Sequence, residues 1–142
     1  MVKDSHQWLK GLLWFGAIYH ILLGISGIFF KDVVVLLARN FFNFNLVLDS
    51  QTYWILNPLS AYMFIFGIFM AVTASDVVKY RNFVNVIVIL LAMRIVQRVF
   101  FMVASPAELV SSMDMSRESL DAALVAVYAG ALFFTSRKAK SK

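Results

Sequence analysis

Four long apolar stretches follow one another in a chain of only 142 residues, at about 8–30, 53–75, 83–104 and 120–135. A helix that crosses the hydrocarbon of a bilayer needs roughly 20 largely apolar residues. In lipid the backbone must satisfy its own N–H and C=O groups, so a lone apolar segment of this length crosses only as a helix. Composition points the same way: 61% of residues are hydrophobic and 15% charged, with a mean hydropathy of +0.79. A soluble domain carries closer to ~25% charged residues, and so short a chain cannot enclose this much apolar surface in water. The expected fold is all-α: a polytopic membrane protein with a four-transmembrane-helix bundle, occupying 1–142 as a single domain.

The first stretch, WLKGLLWFGAIYHILLGISGIFF, exceeds the ~7–15 residues of a signal-peptide core, and no small-x-small cleavage site follows it. A retained helix is expected. Residues 33–50, VVVLLARNFFNFNLVLDS, are apolar but interrupted by Arg39, Asn40, Asn43 and Asn45. They are expected to form an interfacial or partly re-entrant segment between helices 1 and 2. Pro58 falls in or just before the first turn of the second span, where a missing N–H costs little. Residues 105–118 read as a loop, and the fourth span is the shortest.

The formal charge is +5, from 13 basic and 8 acidic residues. With four spans, Lys3, Lys10, Lys79, Arg81, Arg137, Lys138, Lys140 and Lys142 share one face. Lys31, Arg39 and Arg117 lie on the other, and Arg94 and Arg98 fall within a span. The positive-inside rule then places both termini in the cytoplasm. Trp8 and Tyr80 at inner ends, and Tyr53 and Trp54 at an outer end, fit aromatic belts. The basic excess is accounted for by topology and anionic lipid; the lipid bilayer is the expected partner, and nucleic acid is not.

The chain has no cysteine, which removes disulfides, thiolate metal sites and thiol redox chemistry. It also lacks paired intramembrane carboxylates, a histidine cluster for zinc or di-iron, and a serine–histidine arrangement. No metal or catalytic residue is expected, and an enzyme is less expected than a binding or assembly role.

The strongest local anomaly is Arg94-Ile-Val-Gln97-Arg98 in the third span, whose spacings of three and four put the polar side chains on one face. Arg94 lies roughly 16 Å from the inner end at helical rise, near the midplane. A central arginine costs on the order of 2.5–3.5 kcal/mol on insertion scales, so the pair should face the bundle interior, a cavity or a partner. Glu118 and Asp121 are the nearest acids, and an Arg98–Asp121 ion pair is expected, with Arg94 too deep to share it. Asn57 and Ser60 in the second span and His20 in the first are candidate acceptors around the same pocket, which is expected to retain positive charge. Two forked guanidiniums suit a carboxylate, a phosphate or a lipid headgroup. A structural role, in which they are satisfied on backbone carbonyls, side-chain amides and buried acids or hold subunits together, is expected ahead of a ligand site.

His20 sits between Gly16 and Gly24, with Gly27 beyond, and Gly67 and Ala71 form a second small-residue ridge ending at Ser75. Such ridges permit close helix approach. A histidine in the groove is expected to be a hydrogen-bonded packing residue, with a single axial haem or pigment ligand as the alternative. No cofactor is otherwise predicted.

Taken together, GAIYHILLGISGIFF, the apolar segment after it, NPLSAYMFIFGIFMAVTASD with its basic turn KYRN, and RIVQR resemble the DoxX-like clan of small bacterial membrane proteins, over most of the chain. The resemblance implies a four-helix bundle in a bacterial inner membrane. DoxX itself is associated with a quinone-linked thiosulfate oxidoreductase complex, while many relatives have no known activity, so no site residue carries over.

Three functions follow. The leading one is a non-catalytic membrane subunit that forms a homo-oligomer or joins other membrane subunits. The second is binding or transport of an anionic or amphipathic small molecule through Arg94 and Arg98. The third is a quinone- or pigment-associated redox subunit using His20.

Overall fold

The computed structural model describes residues 2–42, 47–104 and 114–139. Among these the structure is helical: α1 (Val2–Phe29), α2 (Lys31–Phe42), α3 (Ser50–Ser75), α4 (Arg81–Ala104) and α5 (Met115–Lys138). Four of them, α1, α3, α4 and α5, are long and apolar enough to cross a membrane. The chain is therefore an all-α, multi-pass membrane bundle. Asn43, Asn45, residues 105–113 of the expected loop, and Lys140 and Lys142 lie outside the described residues.

Aspartates set the helix starts. Asp49 caps α3, accepting from the Thr52 backbone N–H at 2.7 Å, and this hydrogen bond holds the Asp49 carboxyl below the usual carboxylate range. Asp114 caps α5 by accepting from the N–H groups of Ser116 and Arg117. Asp76 Oδ1 accepts from the N–H groups of Val78 and Lys79, closing the turn between α3 and α4.

These caps correct two expectations. Helix α3 begins before Tyr53, so Pro58 lies inside the helix and its missing N–H leaves the Trp54 carbonyl without its usual donor. Helix α5 is also longer than 120–135 at both ends, so Glu118 and Asp121 both project from helix. Arg137 and Lys138 occupy its last turn, where cations oppose the helix dipole favourably, and the Arg137 guanidinium lies over the Phe133 ring.

The segment after α1 resolves into α2, with Asp32, Val33, Leu36, Arg39 and Asn40 on its exposed side and Val34, Val35, Leu37 and Ala38 half-buried. It is too short to span and reaches from the end of α1 to the start of α5. Lys31 Nζ donates to the Ile28 carbonyl at the junction, and Arg117 of α5 donates to the Asn40 carbonyl at 2.7 Å.

The four long helices do not pack equally. The most intimate pair is α1 with α3, followed by α4 with α5; α5 also rests on α1, whereas α3 and α4 touch little. The shared core lies in the half that holds the chain termini: Leu9, Leu13 and Ala17 of α1, Met70 and Ala74 of α3, Val84 and Ile87 of α4, and Leu132 of α5. Near their connecting turn α3 and α4 still meet, through Phe69 and Phe83 at 5.1 Å between centroids. Beyond that level a seam opens between them.

The α1–α3 contact is backbone against backbone. A Cβ on Gly24 would lie 2.6 Å from the Phe64 nitrogen, and one on Gly67 would lie 2.8 Å from the Ile21 nitrogen and 2.9 Å from the Ala17 carbonyl oxygen. Gly27 faces Ser60 in the same antiparallel register, and Gly16 makes room for Tyr128 and Met70. Ala71 is half-buried against the core, while Ser75 is exposed and donates to the Val72 carbonyl.

These contacts predict a graded glycine series. Gly24→Ala meets main chain that cannot yield, and should cost about 1–3 kcal/mol. Gly130→Ala and Gly11→Ala meet nothing within 4 Å, and should be neutral or stabilising by up to about 1 kcal/mol through helix propensity. Thermal unfolding of the three purified variants in one detergent checks the order.

Candidate functional site

His20 is 4% exposed, at the level where the shared core ends. Its Nδ1 lies 2.7 Å from the Gly16 carbonyl oxygen. Since a carbonyl only accepts, Nδ1 carries the hydrogen and a neutral ring keeps its lone pair on Nε2. The rings of Tyr19 and Phe66 stand edge-on to the imidazole at 5.2 and 4.9 Å and fix its plane. Nε2 has no hydrogen-bond partner among the described residues, and it is not sealed from the adjoining space.

That space consists of two clefts sharing His20, Leu91 and Arg94. One, of about 290 Å³, lies between α1, α4 and α5 and is bounded further by Tyr19, Asp121 and Tyr128. The other, of about 280 Å³, lies along the α3–α4 seam and is bounded by Tyr62, Met63, Phe66 and Leu90. Tyr128 closes the first cleft from below, donating its hydroxyl hydrogen to the Leu12 carbonyl at 2.8 Å. Gly16 thus serves twice: its carbonyl orients His20, and its missing side chain admits Tyr128.

The two arginines have different surroundings. Arg98 Nη1 donates to Glu118 Oε2 at 2.5 Å, and Nη2 lies 2.9 Å from Asp121 Oδ2, with all three side chains mostly buried. The contact to Asp121 is an ion pair without hydrogen-bond alignment, so Oδ2 is enclosed with no well-placed donor. Arg94, one turn deeper, lines both clefts and has no acceptor or ion-pair partner among the described residues.

Three placements correct the sequence expectation. Gln97 is exposed: at 100° per residue it stands about 100° from Arg98 around the helix, with Arg94 between them, so the three cannot all face inward. Asn57 is also exposed, because the α1–α3 register that sets Gly27 against Ser60 brings Asn57 level with Phe30, where α1 has ended. Ser60 is buried, but against Gly27 in the helix contact rather than on a cleft wall. The expected surplus of positive charge is absent too. Arg94 and Arg98 stand against Glu118 and Asp121, and the formal charges cancel.

Tyr128, Tyr62 and Leu91 shape the clefts, and sequence reasoning did not single them out. In so apolar a chain an aromatic or leucine carries no positional signal of its own. Among the described residues no group of three His, Cys, Asp or Glu side chains is placed to hold a metal ion.

No family model, curated protein or solved structure matches this chain. The fold and site together define a multi-pass four-helix membrane bundle with a half-open, largely apolar cleft bordered by His20 and Arg94.

The different surroundings of the arginines predict different costs of removal. Arg98→Gln strands two enclosed carboxylates and should destabilise by roughly 3 kcal/mol. Arg94→Gln breaks no hydrogen bond or ion pair among the described residues and should cost well under half of that. Thermal unfolding of the two variants side by side measures the difference, and equal losses would remove the distinction.

Proposed function

We propose that this protein binds an amphipathic small molecule from the bilayer, with its polar head on Arg94 and its apolar body in the α3–α4 seam. The observation that carries this reading is the guanidinium of Arg94, which has no acceptor among the described residues and lines both clefts, one turn from an arginine with two acids. A cation held within a span without an acceptor is costly, and such a group is by default a candidate functional site. The forked donor geometry matches a carboxylate. The seam supplies the route: Tyr62 and Leu90 on its rim are exposed, so a molecule dissolved in lipid reaches the cleft sideways.

Arg98 has two intrachain acids and needs no partner subunit to neutralise it, which leaves the subunit reading without support from that residue. The DoxX-like resemblance fits a four-helix architecture and supplies no site residue.

The binding test is a titration of dodecanoate into protein in nanodiscs, with empty nanodiscs subtracted. Arg94→Gln should weaken binding by at least about tenfold, the scale of one lost charge-assisted hydrogen bond, while the unfolding temperature changes little. Equal affinity in the variant and the parent would remove Arg94 from the site.

We further propose that the chain lies in a bacterial inner membrane with both termini in the cytoplasm, supported by its basic residues by side. The cysteine-free sequence makes the check direct. Single cysteines at Ser5 and Lys138 should be shielded from an impermeant maleimide in intact cells, and one at Asp32 should be labelled. The reverse pattern would invert the topology.

A further inference from the structure

The charges around the cleft already cancel before any ligand arrives. Among the described residues the charged side chains that line the clefts are Arg94 of α4 and Asp121 of α5, and Asp121 is paired with Arg98, which Glu118 also neutralises. An added carboxylate would leave one uncompensated negative charge at mid-depth, which a low-dielectric site strongly disfavours. Neutrality returns if one proton enters with the anion. A neutral-site acceptor for that proton stands in the same cleft: His20 Nε2, whose partner nitrogen is already committed to the Gly16 carbonyl.

We propose that the cleft takes up a monoanionic amphiphile, a long-chain carboxylate, together with one proton from bulk solvent, and that the proton resides on His20 Nε2. This rests on the binding reading above and extends it to proton coupling. The titratable and charged groups facing His20 are Tyr19 on α1, Tyr62 on α3, Arg94 on α4, and Asp121 and Tyr128 on α5. Of these, Arg94 opposes a second positive charge on the empty cleft wall. A carboxylate between the two reverses the balance, because one oxygen accepts from Arg94 and the other from the new Nε2–H. Asp121, across the first cleft with an enclosed and poorly served oxygen, adds to the field that holds the proton.

The sign follows from linkage. Binding takes up a proton wherever His20 is neutral in the free protein and charged in the complex, so affinity falls as pH rises through that window, by about tenfold per unit at most. A titration series from pH 6 to 8 covers the region around and above the ordinary imidazole value of ~6.5.

Isothermal titration of dodecanoate into the protein in nanodiscs, repeated in buffers of different ionisation enthalpy, reads the proton count directly. Wild-type protein should take up close to one proton per dodecanoate bound. His20→Gln should bind more weakly at pH 6, without proton uptake and without the pH slope. Asp121→Asn supplies an independent arm: with one acid gone, the carboxylate balances the arginines unaided. Proton uptake should then vanish with His20 in place, and affinity at pH 8 should rise. Binding by wild type with no proton uptake overturns proton coupling and leaves the binding reading standing. Undiminished uptake in either variant also overturns it, placing the proton on the ligand or on another group. Absence of dodecanoate binding at any pH overturns both.

Discussion

Main-chain contact between α1 and α3 is the constraint on which the rest of the bundle depends. Where Gly24 meets the Phe64 backbone and Gly67 meets the backbone of Ala17 and Ile21, no side chain separates the helices. In lipid there is no hydrophobic force to draw apolar helices together, so association relies on packing of this closeness. Drawing α3 onto α1 has a geometric consequence. Helix α4 is tied to α3 by the short Asp76 turn but packs instead on α5, so the two helices meet at the turn and part beyond it. The seam is the complement of the tight pair. A bundle with four equivalent contacts would have filled the space in which His20 and Arg94 stand.

Electrostatics then divides labour within α4. Arg98, near the level where α5 presents its acids, is neutralised by two of them and ties α4 to α5. Removing one member of such a cluster is costly because it strands the others, which gives the arrangement a specificity that apolar packing lacks. Arg94 is only about 6 Å further along the axis, yet it lies beyond the reach of either carboxylate. The two guanidiniums are thus not a symmetrical clamp. One is structural, and its acids set the potential felt by the other.

The architecture was legible because it rests on quantities a sequence carries directly: lengths of apolar runs, spacing of small residues, and the sides on which charges fall. Gly24, Gly27 and Gly67 were visible as ridges, and the structure sets them against a neighbouring helix. The acids near Arg98 were visible because so few exist. Less legible was anything that depends on angular position or on where a neighbour ends. Gln97 shares a spacing with Arg94 and Arg98, but three residues spread over 100° do not share a surroundings. Asn57 has a polar side chain at a promising depth, but α1 stops at its level. The ends of α5 were missed because Arg117 and Glu118 at one end and Arg137 and Lys138 at the other lower the local hydropathy, while the Asp114 cap and the Arg98–Glu118 pair at its start are visible only in the structure. Pro58 was placed at a helix start because the polar residues before it hid the Asp49 cap.

The half-packed form has an energetic logic. In water a seam such as that between α3 and α4 would be closed by the hydrophobic effect, because each exposed apolar square ångström costs about 25 cal/mol. In a bilayer the same surface meets acyl chains and little is gained by closing it. The fully packed half, from Leu9 to Ala17 and from Met70 to Ala74, is enough to hold the helices together, and the other half is free to be shaped around polar groups. Polar groups there keep a penalty that lipid cannot relieve. Arg98 meets it with Glu118 and Asp121, His20 meets half of it with the Gly16 carbonyl, and Arg94 has no protein partner among the described residues. The unmatched donor on Arg94 and the unmatched acceptor on His20 Nε2 border the same clefts. That juxtaposition, more than either residue alone, distinguishes a site from a defect in packing.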